Sequence, residues 1–181
     1  MSNYQISDIE QLDEVYLKEG VFLVLMHALN VPPHLLLIVS GKVFSISTLG
    51  PAVDEDVQRY LNLIKKKSIK TLFVKMNLPQ VFTKEELQRK VREITLAYPR
   101  VDVGLATCLS PIKDFCHDFV NIDKSGVLLV FDLLDSLKSH QAIAACYHLN
   151  LESELIESKL LLKRYSVFEV NEAIFSASVH A

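Results

Sequence analysis

Two side chains, His34 and Cys108, are the strongest candidates for chemistry in this sequence. Cys108 precedes Ser110 and Pro111, a pair typical of the first positions of a helix, although Thr107 would serve equally as the cap of a slightly earlier start. A sulfur atom at a helix N-terminus lies near unpaired backbone N–H groups, which stabilise a thiolate. An imidazole within hydrogen-bond reach would take the thiol proton and later return it to a leaving group.

His34 stands at the entrance of a predicted β-hairpin that runs from residue 31 to residue 47, with Ser40–Gly41 as its two-residue turn. Counting outward from this turn places His34 opposite Ser47, with Cβ atoms about 5 Å apart. Two prolines precede the histidine and restrict the path of the chain into the strand. These positions predict a site in which Cys108 is the nucleophile, His34 is the base and Ser47 orients the imidazole.

The order of these residues resembles that of circularly permuted papain-like proteins of the lecithin–retinol acyltransferase type. In that family the histidine lies on a strand ahead of the cysteine, a polar orienting residue lies on the next strand, and the cysteine caps a helix. His34, then Ser47 or Ser45, then Cys108 follow this order, and the resemblance covers roughly residues 31 to 120. Leu35 and Thr107 depart from the small residue after the histidine and the asparagine before the cysteine. The resemblance implies acyl chemistry at a cysteine without a cofactor.

Each candidate residue also has a plainer interpretation. A histidine at a strand end is often only hydrogen-bonded to a neighbouring group, and a free cysteine is often a small buried apolar residue. Two functions therefore stay open. The first is a thiol hydrolase or acyltransferase acting on an amide, ester or thioester of a small molecule, lipid or peptide. The second is a non-catalytic interaction module in which His34, Ser47 and Cys108 are structural.

Composition narrows the class of protein. Half of the 181 residues are hydrophobic, which is enough for a sizeable core, and the net charge of −3 argues against a broad nucleic-acid-binding face. Three cysteines without a pairing pattern favour a reducing compartment, and with no secretory signal at the N-terminus they predict a cytoplasmic protein. The longest apolar runs are too short to span a bilayer.

Other motifs in the sequence give little evidence of function. The sequence has neither a Cys-x-x-Cys pair nor a His-Glu-x-x-His motif, and it lacks the glycine-rich loops that hold nucleotides, so no metal or cofactor is predicted. The run Lys65–Lys67 is the sole support for phosphate binding, which ranks last, and is more typical of a solvated helix end. Of the remaining histidines, His27 is predicted in the core or at a sheet edge, and His140 and His148 are predicted at the surface. Cys146 is predicted to pack within a helix. Cys116, His117 and Asp118 are predicted on one helix but on diverging faces, so they cannot form one site.

The pattern of elements predicts a single α+β domain over residues 1–181, with a hairpin-containing antiparallel sheet packed against several helices. Strands are predicted at 21–29, 69–76, 100–106 and 159–165, in addition to the hairpin. Helices are predicted at 7–18, 51–67, 83–97 and 110–120 and after Ser166, three of them opened by the capping-box patterns SDIE, TKEE and SVFE. Residues 126–150 fit either a strand followed by a helix or mostly helix.

Overall fold

The computed structural model describes residues 2–180, so both ends of the predicted domain 1–181 lie outside the described residues. The strands are β1 (Tyr4–Ile6), β2 (Ile9–Gln11), β3 (Val21–Met26), β4 (His34–Val39), β5 (Lys42–Ser47), β6 (Gly50–Asp56), β7 (Thr71–Met76), β8 (Ile143–Leu149) and β9 (Leu160–Leu162). The α-helices are α1 (Val57–Lys66), α2 (Lys84–Leu96), α3 (Ser110–Val120), α4 (Val130–Ser139) and α5 (Val167–Val179).

Seven of the strands form one sheet in the order β2-β8-β7-β3-β4-β5-β6, while β1 pairs with β9. Every pair in the large sheet is antiparallel except β2–β8. This arrangement confirms the predicted α+β class with an antiparallel sheet packed against helices.

Both faces of the sheet are covered by helices. Successive side chains of a strand point to opposite faces, so Leu35 and Leu37 of β4 pack in the cluster that contains α2, α3 and α4. Leu36 and Ile38 pack on the other face, in the cluster that contains α1. The central strands therefore consist of consecutive apolar residues, and all six residues of Val21–Met26 are buried.

The hairpin is confirmed near its turn. Ser40 and Gly41 have φ angles of 46° and 81°, which is the left-handed geometry of a two-residue hairpin turn. The register beyond the turn is as predicted: Val39↔Lys42, Ile38↔Val43 and Leu37↔Phe44.

The pairing of β4 with β5 does not reach His34 and Ser47, because the ladder stops at Leu37↔Phe44. Each strand instead stays paired with its outer neighbour, β4 with β3 as far as His34 and β5 with β6 as far as Ser47. The sheet is therefore open between β4 and β5 at this end, and the predicted cross-strand contact between His34 and Ser47 is not part of the ladder.

Several predicted elements are wrong, either because a strand pairs with a neighbour that the local pattern does not show or because a predicted strand finds no partner. Residues 7–18 form β2 and a short 3₁₀ helix (Glu14–Lys18) instead of one helix, since β2 pairs with β8. Residues 51–56 form β6 against β5, and α1 begins only at Val57, where the Asp56 carboxylate accepts from the Gln58 N–H. Residues 100–106 form a turn closed by the single bridge Asp102↔Ala106 instead of a strand.

The segment 126–150 contains a helix followed by a strand, which is neither of the two predicted arrangements. Cys146 consequently lies in β8 and not in a helix. His148 is buried in β8 with 4% of its surface exposed, contrary to the surface position that we predict, whereas His140 is exposed as predicted. His27 is exposed in the turn after β3, where its φ is 52°, and is not a core residue.

Local helix signals are confirmed where they stand at true helix starts. Thr83 and Ser166 both form complete capping boxes, with Glu86 and Glu169 as their respective partners. The strands predicted at 69–76 and 159–165 are present as β7 and the shorter β9.

The buried histidine of β8 makes stability depend on pH. The Nδ1 atom of His148 is buried without a hydrogen-bond partner among residues 2–180, and burial lowers the pKa of His148 below the ordinary 6.5, against a weaker opposite effect of Glu152. Well above pH 6.5 the ring is neutral in the folded and unfolded states and contributes no pH dependence. Below about pH 6.5 the unfolded chain binds a proton that the folded chain resists, so we expect the free energy of unfolding to fall.

The variant His148→Gln removes this titration. Urea unfolding between roughly pH 5.5 and 6.5 is expected to show a slope shallower than that of the wild type, by up to about 1.4 kcal/mol per pH unit. His140→Gln, at an exposed position, is the control and should keep the wild-type slope. An unchanged slope in His148→Gln would show that burial does not hold this ring neutral.

Candidate active site

A cavity of about 520 Å³ lies at the open end of the sheet between β4 and β5, and His34, Ser47 and Cys108 all line it. Its volume is in the range of pockets that hold small organic ligands. The fold therefore brings the three predicted site residues, which are up to 74 positions apart in the chain, to one cavity.

His34 is placed by β4, of which it is the first residue, opposite Met26 of β3. Burial lowers the pKa of His34 below 6.5, and the nearby His27 acts in the same direction. The imidazole is therefore neutral at pH 7, which is the form that can accept a proton.

Cys108 lies in a short turn that leads into α3. Ser110 is the first residue of α3 and not its cap, since Leu109 occupies that position. The turn is held by reciprocal hydrogen bonds: the Thr107 N–H donates to Ser110 Oγ at 3.0 Å, and the Ser110 N–H donates to the Thr107 carbonyl at 3.0 Å. The Leu109 N–H also donates to Thr107 Oγ1 at 3.2 Å. This turn fixes the backbone on both sides of the sulfur.

The electrostatics of Cys108 differ in part from what the helix start predicts. Burial raises the pKa of the Cys108 thiol, while the backbone N–H groups of Leu35, Cys108 and Leu109 act in the opposite direction. The N–H groups thus favour the thiolate as expected, but the loss of water around the sulfur outweighs them. The resting form is a thiol, and the Leu35 N–H approaches it where β4 no longer pairs with β5.

No hydrogen bond joins Cys108 to His34 within residues 2–180, and the pKa shift of neither group has the other as a cause. Burial acts on both in the same sense, since it favours the uncharged thiol and the uncharged imidazole. The resting site is therefore a neutral pair at one cavity and not a preformed thiolate–imidazolium pair.

Ser47 lines the cavity, but its hydroxyl is engaged in the turn between β5 and β6. Ser47 Oγ accepts from the Leu49 N–H at 3.2 Å and lies 3.5 Å from the Gly50 carbonyl, to which it donates. Ser45, the alternative orienting residue, is buried, and its hydroxyl interacts with Tyr60 on the face covered by α1. The orienting role of either serine stays a prediction.

Sequence reasoning missed the opposite wall of the cavity, which belongs to α5. Val170, Ala173, Ile174 and Ala177 line the cavity at the spacing i, i+3, i+4 and i+7. This spacing is the signature of one helix face, so it predicts a buried surface although not what that surface covers. Asn30, in the loop before β4, also lines the cavity, and no pattern in the sequence singles it out.

Comparison of the chain with protein-family models, curated proteins and solved structures gives no match. The residues 2–180 contain no group of three or more acidic, cysteine or histidine side chains placed to hold a metal ion. None of the helices in this range has both the length and the apolar character needed to cross a membrane.

Proposed function

We propose that the protein is a thiol hydrolase or acyltransferase that acts on an amide, ester or thioester. The observation that carries this proposal is the position of Cys108 and His34 on one cavity of about 520 Å³. A nucleophile and a base are the two groups that acyl transfer through a covalent intermediate requires.

The neutral resting pair suits a mechanism in which His34 acts as a general base. As the Cys108 sulfur attacks the substrate carbonyl carbon, the neutral imidazole takes the thiol proton. The negative charge that develops on the carbonyl oxygen is of the kind that backbone N–H groups stabilise, and the N–H groups of Leu35 and Leu109 lie beside the sulfur.

The intermediate then collapses. The bond from the carbonyl carbon to the leaving amine, alcohol or thiol breaks, and the imidazolium of His34 returns its proton to that group. The acyl group stays on Cys108 as a thioester. Attack by water gives an acid, whereas attack by an acceptor nucleophile gives a transferred acyl group, and both restore the thiol.

The test is acylation of the protein by p-nitrophenyl acetate. We expect one equivalent of nitrophenolate to be released in a burst and one acetyl group to be found on Cys108 by peptide mass spectrometry. His34→Gln should slow this acetylation by about 100-fold, the usual contribution of a general base. His140→Gln, at an exposed position, should acylate at the wild-type rate. Equal acetylation of Cys108 and Cys146, or an unchanged rate in His34→Gln, would contradict the proposal.

The second candidate function is a non-catalytic interaction module. It is favoured by the protonated thiol and by the engagement of the Ser47 hydroxyl in its own turn. In that case His34→Gln leaves the acetylation rate of Cys108 unchanged, and Cys108→Ala alters only stability, by about 1–2 kcal/mol.

We also propose a cytoplasmic location for the protein and no nucleic-acid partner. All three cysteines are free, which suits a reducing compartment.

The substrate is a small molecule, a lipid or a peptide whose acyl portion fits a largely apolar cavity.

A further inference from the structure

A second cavity, of about 480 Å³, adjoins the first, and the two share Asn30 as a lining residue. The second cavity is lined by Lys67, Lys70, Ser68 and His27 in addition to Asn30 and four apolar residues. Among the described residues that line it there is no carboxylate. In a chain with a net charge of −3, a cavity with two lysines and no acid favours an anionic ligand.

Not all of the positive charge around this cavity is free. Lys70 forms a salt bridge with Glu154, and Lys65, which lies outside the lining, forms one with Glu14. Lys67 makes no salt bridge within residues 2–180, and its side chain is exposed at the end of α1. The unpaired ammonium group of Lys67 is therefore the main cation available to a ligand.

Most of the carbonyl groups at the end of α1 already accept hydrogen bonds, which limits the negative charge that the helix end presents to this cavity. The Ile64 carbonyl accepts from the Ile69 N–H at 2.9 Å and from Asn150 Nδ2 at 3.3 Å, and the Leu63 carbonyl accepts from the Lys67 N–H at 3.0 Å. Helix C-termini usually repel anions because their last carbonyls are unpaired. Here three of the last four carbonyls have internal donors, the Lys65 carbonyl accepting from the Ser68 N–H at 3.2 Å, and the Lys67 ammonium and the Ser68 hydroxyl donate to no other group within residues 2–180.

We infer that this second cavity holds a phosphate group of the substrate, carried on the leaving group of an acyl compound whose acyl portion enters the Cys108–His34 cavity. The inference rests on the proposed function and names the substrate class: an acyl ester or thioester with a phosphorylated leaving group. Asn30 lies where the two cavities meet, so its amide is placed near the bond between the acyl portion and the leaving group.

With such a substrate the acyl-transfer step is the same as in the proposed mechanism. The Cys108 sulfur forms a bond to the carbonyl carbon, the bond from that carbon to the leaving sulfur or oxygen breaks, and the proton taken up by His34 goes to the leaving atom. The phosphate undergoes no reaction. It contributes charge-assisted hydrogen bonds that hold the leaving group in place.

A binding experiment tests the inference without depending on catalysis. Isothermal titration of the full chain with inorganic pyrophosphate is expected to show binding that Lys67→Gln combined with Lys70→Gln weakens at least tenfold. Lys66→Gln is the matched control, because this neighbouring lysine does not line the cavity, and it should bind like the wild type. Absence of binding to the wild type, or equal affinity in all three proteins, would overturn the inference.

A kinetic experiment distinguishes the inference from the proposed function. The kcat/KM for acetyl-coenzyme A is expected to exceed that for S-acetyl-N-acetylcysteamine, which lacks phosphate, by about tenfold, and the double lysine variant should lose this preference. Dihexanoyl phosphatidic acid is the parallel probe for a phospholipid source of the phosphate. If Cys108→Ala stops turnover while the lysine variants behave as wild type, acyl transfer stands and the anion site fails. If Cys108→Ala has no effect, the proposed function and the substrate class inferred from it both fail, whereas the pyrophosphate titration still decides whether the second cavity binds phosphate.

Discussion

Cys108→Ala is expected to lower the turnover of acyl substrates by about 10³-fold or more, because the Ser47 and Thr48 hydroxyls that also line the cavity are much weaker nucleophiles than a sulfur atom. The variant should release no burst of nitrophenolate from p-nitrophenyl acetate and should carry no acetyl group after the reaction. Stopped-flow absorbance and intact-protein mass spectrometry measure these two outcomes. Cys108 is a small residue packed at the edge of the core cluster, so its loss should cost no more than about 1–2 kcal/mol of stability.

Cys146→Ala is the matched control for this experiment. Cys146 lies in β8, with 7% of its surface exposed, and does not line the cavity. It should keep wild-type turnover even if the variant is slightly less stable. A Cys108→Ala protein that unfolds like the wild type and still turns over acyl substrates would rule out Cys108 as the nucleophile.

Phe115→Ala is expected to have the largest effect on stability, about 3–5 kcal/mol. The side chain is 0% exposed in α3, and its ring centroid lies 4.7 Å from that of Phe119, within the cluster that joins α3 to the sheet. Truncation to alanine would leave a cavity that the surrounding side chains fill only in part. Because α3 begins directly after the Thr107–Ser110 turn, loosening it should also displace Cys108.

Urea unfolding measures this loss, and Phe175→Ala provides a control with the same change of side chain. Phe175 is 65% exposed on the outer face of α5, so its truncation should change stability by about 0.5 kcal/mol or less. If both phenylalanine variants lose the same free energy of unfolding, the assignment of Phe115 to the core would be wrong.

The two pKa shifts at the site follow from one physical cause. Burial of His34 and Cys108 removes water that would solvate the charged forms, so it lowers the pKa of the histidine and raises that of the cysteine. A thiol that stays protonated at rest is less exposed to oxidation and to unselective alkylation than a thiolate. In the proposed mechanism the sulfur becomes reactive only when a substrate carbonyl is in place and His34 accepts the proton.

The elements that the sequence predicts correctly are those set by neighbouring residues. The turn Ser40–Gly41 determines the hairpin register through Leu37↔Phe44, and the boxes at Thr83 and Ser166 mark true helix starts, because these signals act within a few positions of the chain. The predictions at 7–18 and 126–150 are wrong where a strand is stabilised by a partner far away in the chain, whereas residues 51–56 pair with the adjacent strand β5 in a second hairpin where the sequence predicts the start of a helix. Pairing over such distances leaves no local pattern.

For the site, the sequence by itself determined which side chains have suitable chemistry: a cysteine just ahead of a helix and a histidine at the start of a strand. Only the tertiary structure decided that they share a cavity, since this depends on the separation of β4 from β5 and on the packing of α5 across the gap. The tertiary structure also decided their protonation, because the extent of burial outweighs the helix N-terminus at Cys108. Burial and cavity shape arise from contacts among distant segments, and for this reason they are absent from any single stretch of the sequence.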